Sequence, residues 1–141
     1  MARSTESTKF LATVPMFQGL SEKELRTVAA CAHHETYAPG DEVVTQGKAG
    51  GPFFVILEGN AELLIDGATQ RSLGPGDFFG EMALIEHAPR SGTVRATEPL
   101  TTATITSWDF LALLEESWPL CQKVLVELCR RVRQADSSAE A

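Results

Sequence analysis

Hydrophobic and polar positions follow three successive regimes along the chain. Near the start, Phe10, Leu11 and Val14 share one face of a short predicted helix over Lys9 to Val14, which Pro15 ends. Ser21 with Glu24 then makes an S-x-x-E capping box, in which each side chain satisfies a free backbone donor, and this predicts a helix from there to about Cys31. The loop Met16 to Leu20 joins the two. From about Glu35 to Thr106 turn pairs take over: Pro39-Gly40, Gly50-Gly51, Gly59-Asn60, Asp66-Gly67 and Pro75-Gly76, with short apolar or alternating runs between them. Phe53 to Leu57 is apolar throughout and too short for a typical helix, and Leu63 to Ile65 leads into Asp66-Gly67 as a hairpin. Several short strands at this spacing predict a mainly β fold with flanking helices, a sandwich, jelly roll or barrel.

The strand pattern breaks once. Gly80 to Pro89 contains Glu81, Met82, Ala83, Leu84 and Ile85, good helix formers in the middle of a β region, and a local conflict of this kind is where function is expected. Strands resume at Thr93 to Ala96 and Leu100 to Thr106. Beyond them the period is helical again, with a short helix over Trp108 to Leu114 and a longer one from Pro119 to about Arg133. The apolar stripe predicted on that last helix is Cys121, Val124, Leu125, Leu128 and Val132.

At 141 residues the chain is about one domain long. Its small polar ends divide it into a flexible tail over 1–8, one domain over 9–133 and a second flexible tail over 134–141. A formal net charge of -7 repels phosphate backbones and anionic lipid, and Arg130, Arg131 and Arg133 are the nearest thing to a basic cluster. Nucleic acid is therefore not an expected partner. Three cysteines without a C-x-x-C spacing indicate neither a disulfide framework nor a zinc knuckle, and no stretch approaches the apolar length of a membrane span. The expectation is a cytoplasmic protein without membrane insertion.

Three residues around the odd helix suggest chemistry. Gly80 lets a ligand come close to backbone, Glu81 can accept from a hydroxyl, and Arg90 carries a planar fork for two oxygens of an anion. The run Phe79-Gly80-Glu81-Met82-Ala83-Leu84, followed by Pro89-Arg90-Ser91-Gly92-Thr93-Val94, resembles the phosphate-binding cassette of the cyclic nucleotide-binding domain family. That family includes the catabolite activator protein, the kinase regulatory subunits and the nucleotide-gated channels. Pro39-Gly40-Asp41, Gln46-Gly47 and Phe53 to Gly59 resemble its strand-and-turn frame, and Val14 to Phe17 with Gly19-Leu20-Ser21 its opening.

The resemblance implies a β jelly roll (double-stranded β-helix) with N-terminal helices and a C-terminal helical lid. It implies that Arg90 holds the cyclic phosphate, Glu81 the ribose hydroxyl, and the amides of Met82 and Ala83 further phosphate oxygens, with Phe79, Gly80, Ser91 and Thr93 completing the site. Ser91 stands at a position tied to purine choice: cGMP-selective members often carry Thr, cAMP-selective kinase subunits Ala and the bacterial activator Ser, which puts cAMP ahead of cGMP. Gly92 departs from the family's common Ala, and Met82 from its Leu. Near the end of the lid, Leu128, Arg131 and Val132 are the candidates to cover the base.

Taken singly, Arg90 is a solvated loop charge and Glu81 a residue complementing a helix dipole; the frame around them is what gives both a ligand role. His33 and His34 are adjacent, so on a strand they point to opposite faces and do not share a metal, and Ser91 has no His and Asp at a suggestive spacing. No metal, cofactor or catalytic residue is expected. The chain thus reads as a stand-alone regulatory module that binds cAMP or cGMP, repacks its C-terminal helix and acts on a separate protein, with a homodimer compatible. Two alternatives stay open: a structural or interaction module with a vestigial pocket, and a regulatory domain excised from a channel or transporter.

Overall fold

The structure, a computed structural model, describes residues 11–14 and 17–140, and for 135–140 the backbone alone. Lys9, Phe10, Pro15 and Met16 lie outside the described residues; Leu11 and Ala12 are helical, with Leu11 and Val14 buried. Helix α1 (Glu22–Cys31) starts at the predicted capping box, both halves of which form, with Ser21 Oγ accepting from the Glu24 amide and Glu24 Oε1 from the Ser21 amide. The second oxygen of Glu24 accepts from Ser117 Oγ, which ties α1 to the far end of the domain and, more than any other contact, holds the Glu24 carboxyl below its usual range.

Eight strands follow: β1 (His33–Tyr37), β2 (Glu42–Val44), β3 (Phe53–Glu58), β4 (Ala61–Ile65), β5 (Ala68–Leu73), β6 (Phe78–Phe79), β7 (Thr93–Ala96) and β8 (Leu100–Ile105). They form two four-stranded sheets, ordered β1-β8-β3-β6 and β2-β7-β4-β5, with every pair antiparallel. This is the expected mainly β fold, a β-roll with flanking helices. The β4–β5 hairpin turns at Asp66-Gly67 as predicted, Asp66 at φ 54°. Between β6 and β7 lies α2 (Glu81–Glu86), and after β8 come α3 (Ser107–Glu116) and α4 (Trp118–Glu140). Among the described residues no helix is long and apolar enough to cross a membrane.

Strand β3 explains the unbroken apolar run. Successive side chains of a strand point to opposite faces, so Phe53, Val55 and Leu57 enter one apolar cluster with α1, α3 and α4, while Phe54 and Ile56 enter a second between the sheets. Strand β6 divides likewise: Phe78 meets the helical cluster, and Phe79 stacks on Phe54 inside the roll at a centroid distance of 4.8 Å. Phe53 stacks on Phe110 of α3 at 4.2 Å, which seats the helices on the sheet.

The stripe expected on α4 is corrected in part. Leu120 and Val124 are the buried residues and Cys121 and Leu128 are half-buried, whereas Leu125 and Val132 are exposed. The buried face keeps Cys121, Val124 and Leu128 of the predicted stripe, adds Leu120 and leaves out Leu125 and Val132. Its backbone is helical to Glu140, past the predicted end near Arg133.

One turn is sterically fixed. Gly59, at φ +88°, links β3 to β4 so close to the β7–β8 connection that a Cβ there would lie 2.1 Å from the Pro99 carbonyl oxygen. Gly59→Ala combines a left-handed backbone with a clash against main chain, and it is expected to lower the unfolding free energy by about 1–3 kcal/mol in a urea titration.

Candidate functional site

The site is built where β6 stops. After Phe79 the chain turns through Gly80 at φ +99°, in the left-handed region, and enters the six-residue helix α2 without a side-chain cap. The first-turn amides, those of Met82 and Ala83 among them, have no intrahelical acceptor. After α2, the backbone of Arg90 is pinned against the β2–β3 loop, its N–H donating to Lys48 O at 2.9 Å and its carbonyl accepting from the Gly47 amide at 2.9 Å.

That pinning turns the Arg90 side chain inward, and only 6% of the residue is exposed. Its Nε donates to Gly50 O at 3.1 Å, Nη1 to Gly80 O at 3.0 Å and Nη2 to Pro52 O at 2.7 Å. The fit depends on two glycines: a Cβ on Gly80 would lie 2.6 Å from Nη1, and one on Gly51 2.7 Å from Nη2. A guanidinium has five N–H donors, so one on each terminal nitrogen is left over for the oxygens of an incoming anion. Among the described residues no carboxylate is ion-paired with Arg90, and burial lowers its pKa, with Glu81 opposing. A buried cation held only by neutral carbonyls favours an incoming negative charge.

Glu81 is 1% exposed. Its Oε1 pairs with Arg131 Nη1 from α4, and burial raises its carboxyl pKa against the opposing pull of Arg131 and Arg71. Arg131 is held in turn by Glu127 Oε1, by the Phe78 carbonyl at 3.3 Å and by the Phe78 ring, over whose centroid it lies at 5.3 Å.

The structure therefore brings Phe79, Gly80, Glu81, Ala83 and Arg90 together around one turn. The Met82 side chain points outward, 43% exposed, so its part in the site is confined to the amide. Ser91 is exposed, and Thr93 accepts through Oγ1 from the Gln46 amide at 3.0 Å. Gly92 has a local reason, since a Cβ there would sit 2.8 Å from the Leu64 carbonyl oxygen. Of the three lid candidates, Leu128 packs against the helical core, Val132 is 59% exposed, and Arg131 reaches Glu81.

Sequence reasoning missed Gly51 and Pro52, whose Gly50-Gly51 pair signalled only a turn, and it missed Glu127 and Arg71. Arg71, on β5, lines a cavity of about 510 Å³ between α4 and the β5–β6 turn together with Phe78, Lys123, Val126 and Arg131. Among the described residues its side chain has no hydrogen bond or ion pair, and burial lowers its pKa.

The fold has relatives among known proteins. The family model of the cyclic nucleotide-binding domain matches residues 34–117. The chain belongs to that family. Within it, the cAMP-dependent protein kinase regulatory subunit of Mycosarcoma maydis is 40% identical over 92 residues, 62% of this chain and 18% of that protein. A cGMP-dependent protein kinase of Toxoplasma gondii is 37% identical over 93 residues, 66% of this chain and 9% of the kinase. Among solved structures, the catabolite activator protein of Thermus thermophilus superposes with a TM-score of 0.82 at 28% identity, over 89% of this chain and 62% of that one. The regulatory domain of Toxoplasma gondii PKA with cAMP gives 0.79 at 28%, over 89% and 51%. The chain thus spans less than a fifth of the length of these kinase relatives.

Removing Arg131 leaves Glu81 buried without its cation. Arg131→Ala is expected to cost about 1–3 kcal/mol of stability at neutral pH, a moderate figure because Arg131 is itself partly exposed. Glu81 has a raised pKa in the fold, so the native state binds more protons than the unfolded one between the ordinary and raised values, and stability from this group falls as pH rises through that window. Loss of Arg131 raises the value further. The deficit of the variant is therefore expected to shrink as the pH is lowered towards the ordinary carboxylate range, in thermal melts across pH.

Proposed function

We propose that this domain is a sensor, not an enzyme, that binds a cyclic nucleotide with the phosphate on Arg90 and the ribose 2′-hydroxyl on Glu81. The observation that carries the reading is the Arg90 guanidinium, buried, fixed by three carbonyls and left with one donor on each terminal nitrogen. A cyclic phosphodiester presents one charge over two exocyclic oxygens, which can accept from those donors. The first-turn amides of α2 add donors for the same group, and the ligand's ring geometry keeps phosphate and 2′-hydroxyl at a fixed separation, as Arg90 and Glu81 are kept. The output is a change in the packing of α4 read by a separate protein. A site in the cytoplasm, the expected compartment, suits a second messenger of this class.

For the purine, Ser91 places cAMP first by family resemblance. A second reading, cGMP, is favoured by Arg71, whose unpaired side chain lines the cavity between α4 and the β5–β6 turn and acts electrostatically on Glu81. Guanine offers O6 and N7 as adjacent acceptors to a guanidinium, while adenine sets an N6 donor beside N7.

Calorimetry with both nucleotides tests the function. One or both should bind and raise the melting temperature, by about 2.7 kcal/mol of stabilisation at a hundredfold excess over Kd, and AMP should do much less. Arg90→Ala should weaken binding by about 2–5 kcal/mol. Unchanged affinity in that variant would remove the phosphate assignment. For the purine, Arg71→Ala should lower the cGMP to cAMP affinity ratio about tenfold or more if the base meets Arg71, and leave it unchanged if cAMP is chosen through Ser91.

A further inference from the structure

The β2–β3 loop, residues 45–52, wraps Arg90. Its Gly47 amide and Lys48 carbonyl bond the Arg90 backbone, and its Gly50 and Pro52 carbonyls accept from the guanidinium. By itself this loop is a poor device for giving a side chain a fixed direction, because Gly47, Gly50 and Gly51 stand at φ 85°, 78° and 97°, and glycine backbone has the widest choice of conformation. Something outside the loop has to set its shape. Among the described residues, and apart from Arg90, the hydrogen bonds that reach from 45–52 to β4, β5, β7 and the turns between them are made by Gln46. Its backbone amide donates to Thr93 Oγ1 at 3.0 Å. Its side chain closes a reciprocal pair with Asp66 at the tip of the β4–β5 hairpin: Nε2 donates to Oδ1 at 2.9 Å, and Oε1 accepts from the Asp66 amide at 2.8 Å. The hairpin is seated in turn against the segment that follows Arg90. A Cβ on Gly92 would meet the Leu64 carbonyl and the side chains of Leu63 and Ile65 within 3.2 Å.

On the cyclic-nucleotide reading, we propose that Gln46 is a positioning residue of the phosphate site: clasped to Asp66, it holds the β2–β3 loop in the shape whose carbonyls aim Arg90. The circuit is closed. Asp66 is carried by β4, Gln46 by Asp66, the loop by Gln46 and the guanidinium by the loop, while the chain beyond Arg90 rests on β4 at Gly92. A guanidinium fixed before the ligand arrives presents its free donors without first losing rotamer freedom, and that saving appears as affinity. With the clasp open, the glycine-rich loop relaxes, and binding has to order both loop and side chain. A hairpin tip outside the site thereby takes part in phosphate recognition, and it does so through Arg90.

The test uses the full chain, free and with cAMP and cGMP. In the free protein, Gln46→Ala should raise hydrogen exchange at the Gly47 and Arg90 amides, the two that bond between loop and Arg90 segment. By calorimetry the variant should bind the nucleotide that the wild type binds about three- to tenfold more weakly. In an Arg90→Ala background the same substitution should cost no further affinity, because the group it acts through is gone. Gln46→Glu should also weaken binding, since two carboxylates then face each other. Adding Asp66→Asn should restore it: that pair re-forms both hydrogen bonds with donor and acceptor exchanged, and asparagine tolerates the left-handed backbone at 66. Unchanged exchange at Gly47 and Arg90, full affinity in Gln46→Ala, or an equal loss with and without Arg90 overturns the proposal while leaving the nucleotide reading intact. A double variant no better than Gln46→Glu does the same. Binding of neither nucleotide to the wild type overturns both readings together.

Discussion

Two opposite charges are buried at the ends of one turn, and neither is simply paired with the other. Arg90 donates its side-chain hydrogen bonds to neutral carbonyls, and Glu81 takes its counter-ion from a helix, at a residue 50 positions later in the chain. An uncompensated buried charge costs several kcal/mol, so both side chains have to be held by elements that cannot drift. For Arg90 these are the β2–β3 loop and the left-handed turn at Gly80; for Glu81 they are β6 and α4. The rest of the fold supplies the rigidity. Phe78 and Phe79 fix the end of β6 by packing on opposite sides of the sheet, and the helical layer fixes α4 through Leu120 and Val124. A short helix with no side-chain cap persists between them because its ends are anchored to both structures.

Much of this was legible in the sequence, for reasons that are local. The capping box at Ser21, the hairpin at Asp66-Gly67 and the unbroken apolar run of β3 each state their geometry within a few residues, since backbone donors, turn angles and strand alternation are short-range constraints. Gly80, Glu81 and Arg90 stood out as a conflict between helix formers and a β surround. What was not legible depends on contacts far apart in the chain. The carbonyls of Gly50 and Pro52 lie 40 and 38 residues from Arg90, and a Gly-Gly pair announces a turn without saying what the turn embraces. Arg71 belongs to no motif in the sequence; its place in the cavity wall depends on β5 lying beneath α4. The edge of the buried face of α4 was misplaced because Leu125 and Val132 are as apolar as Leu120 and Val124, and only the tertiary packing decides between them.

Strand β3 has a wider consequence. Because its alternate side chains belong to the helical cluster and to the interior of the roll, neither cluster can be exposed to water without tearing side chains out of the other. The roll and its helical layer are therefore not separable folding units: local opening is confined to what β3 does not carry, namely the end of α4 and the exposed edges, while loss of β3 is loss of the whole domain in one cooperative step. In a domain made this way the walls of the site melt only when everything does.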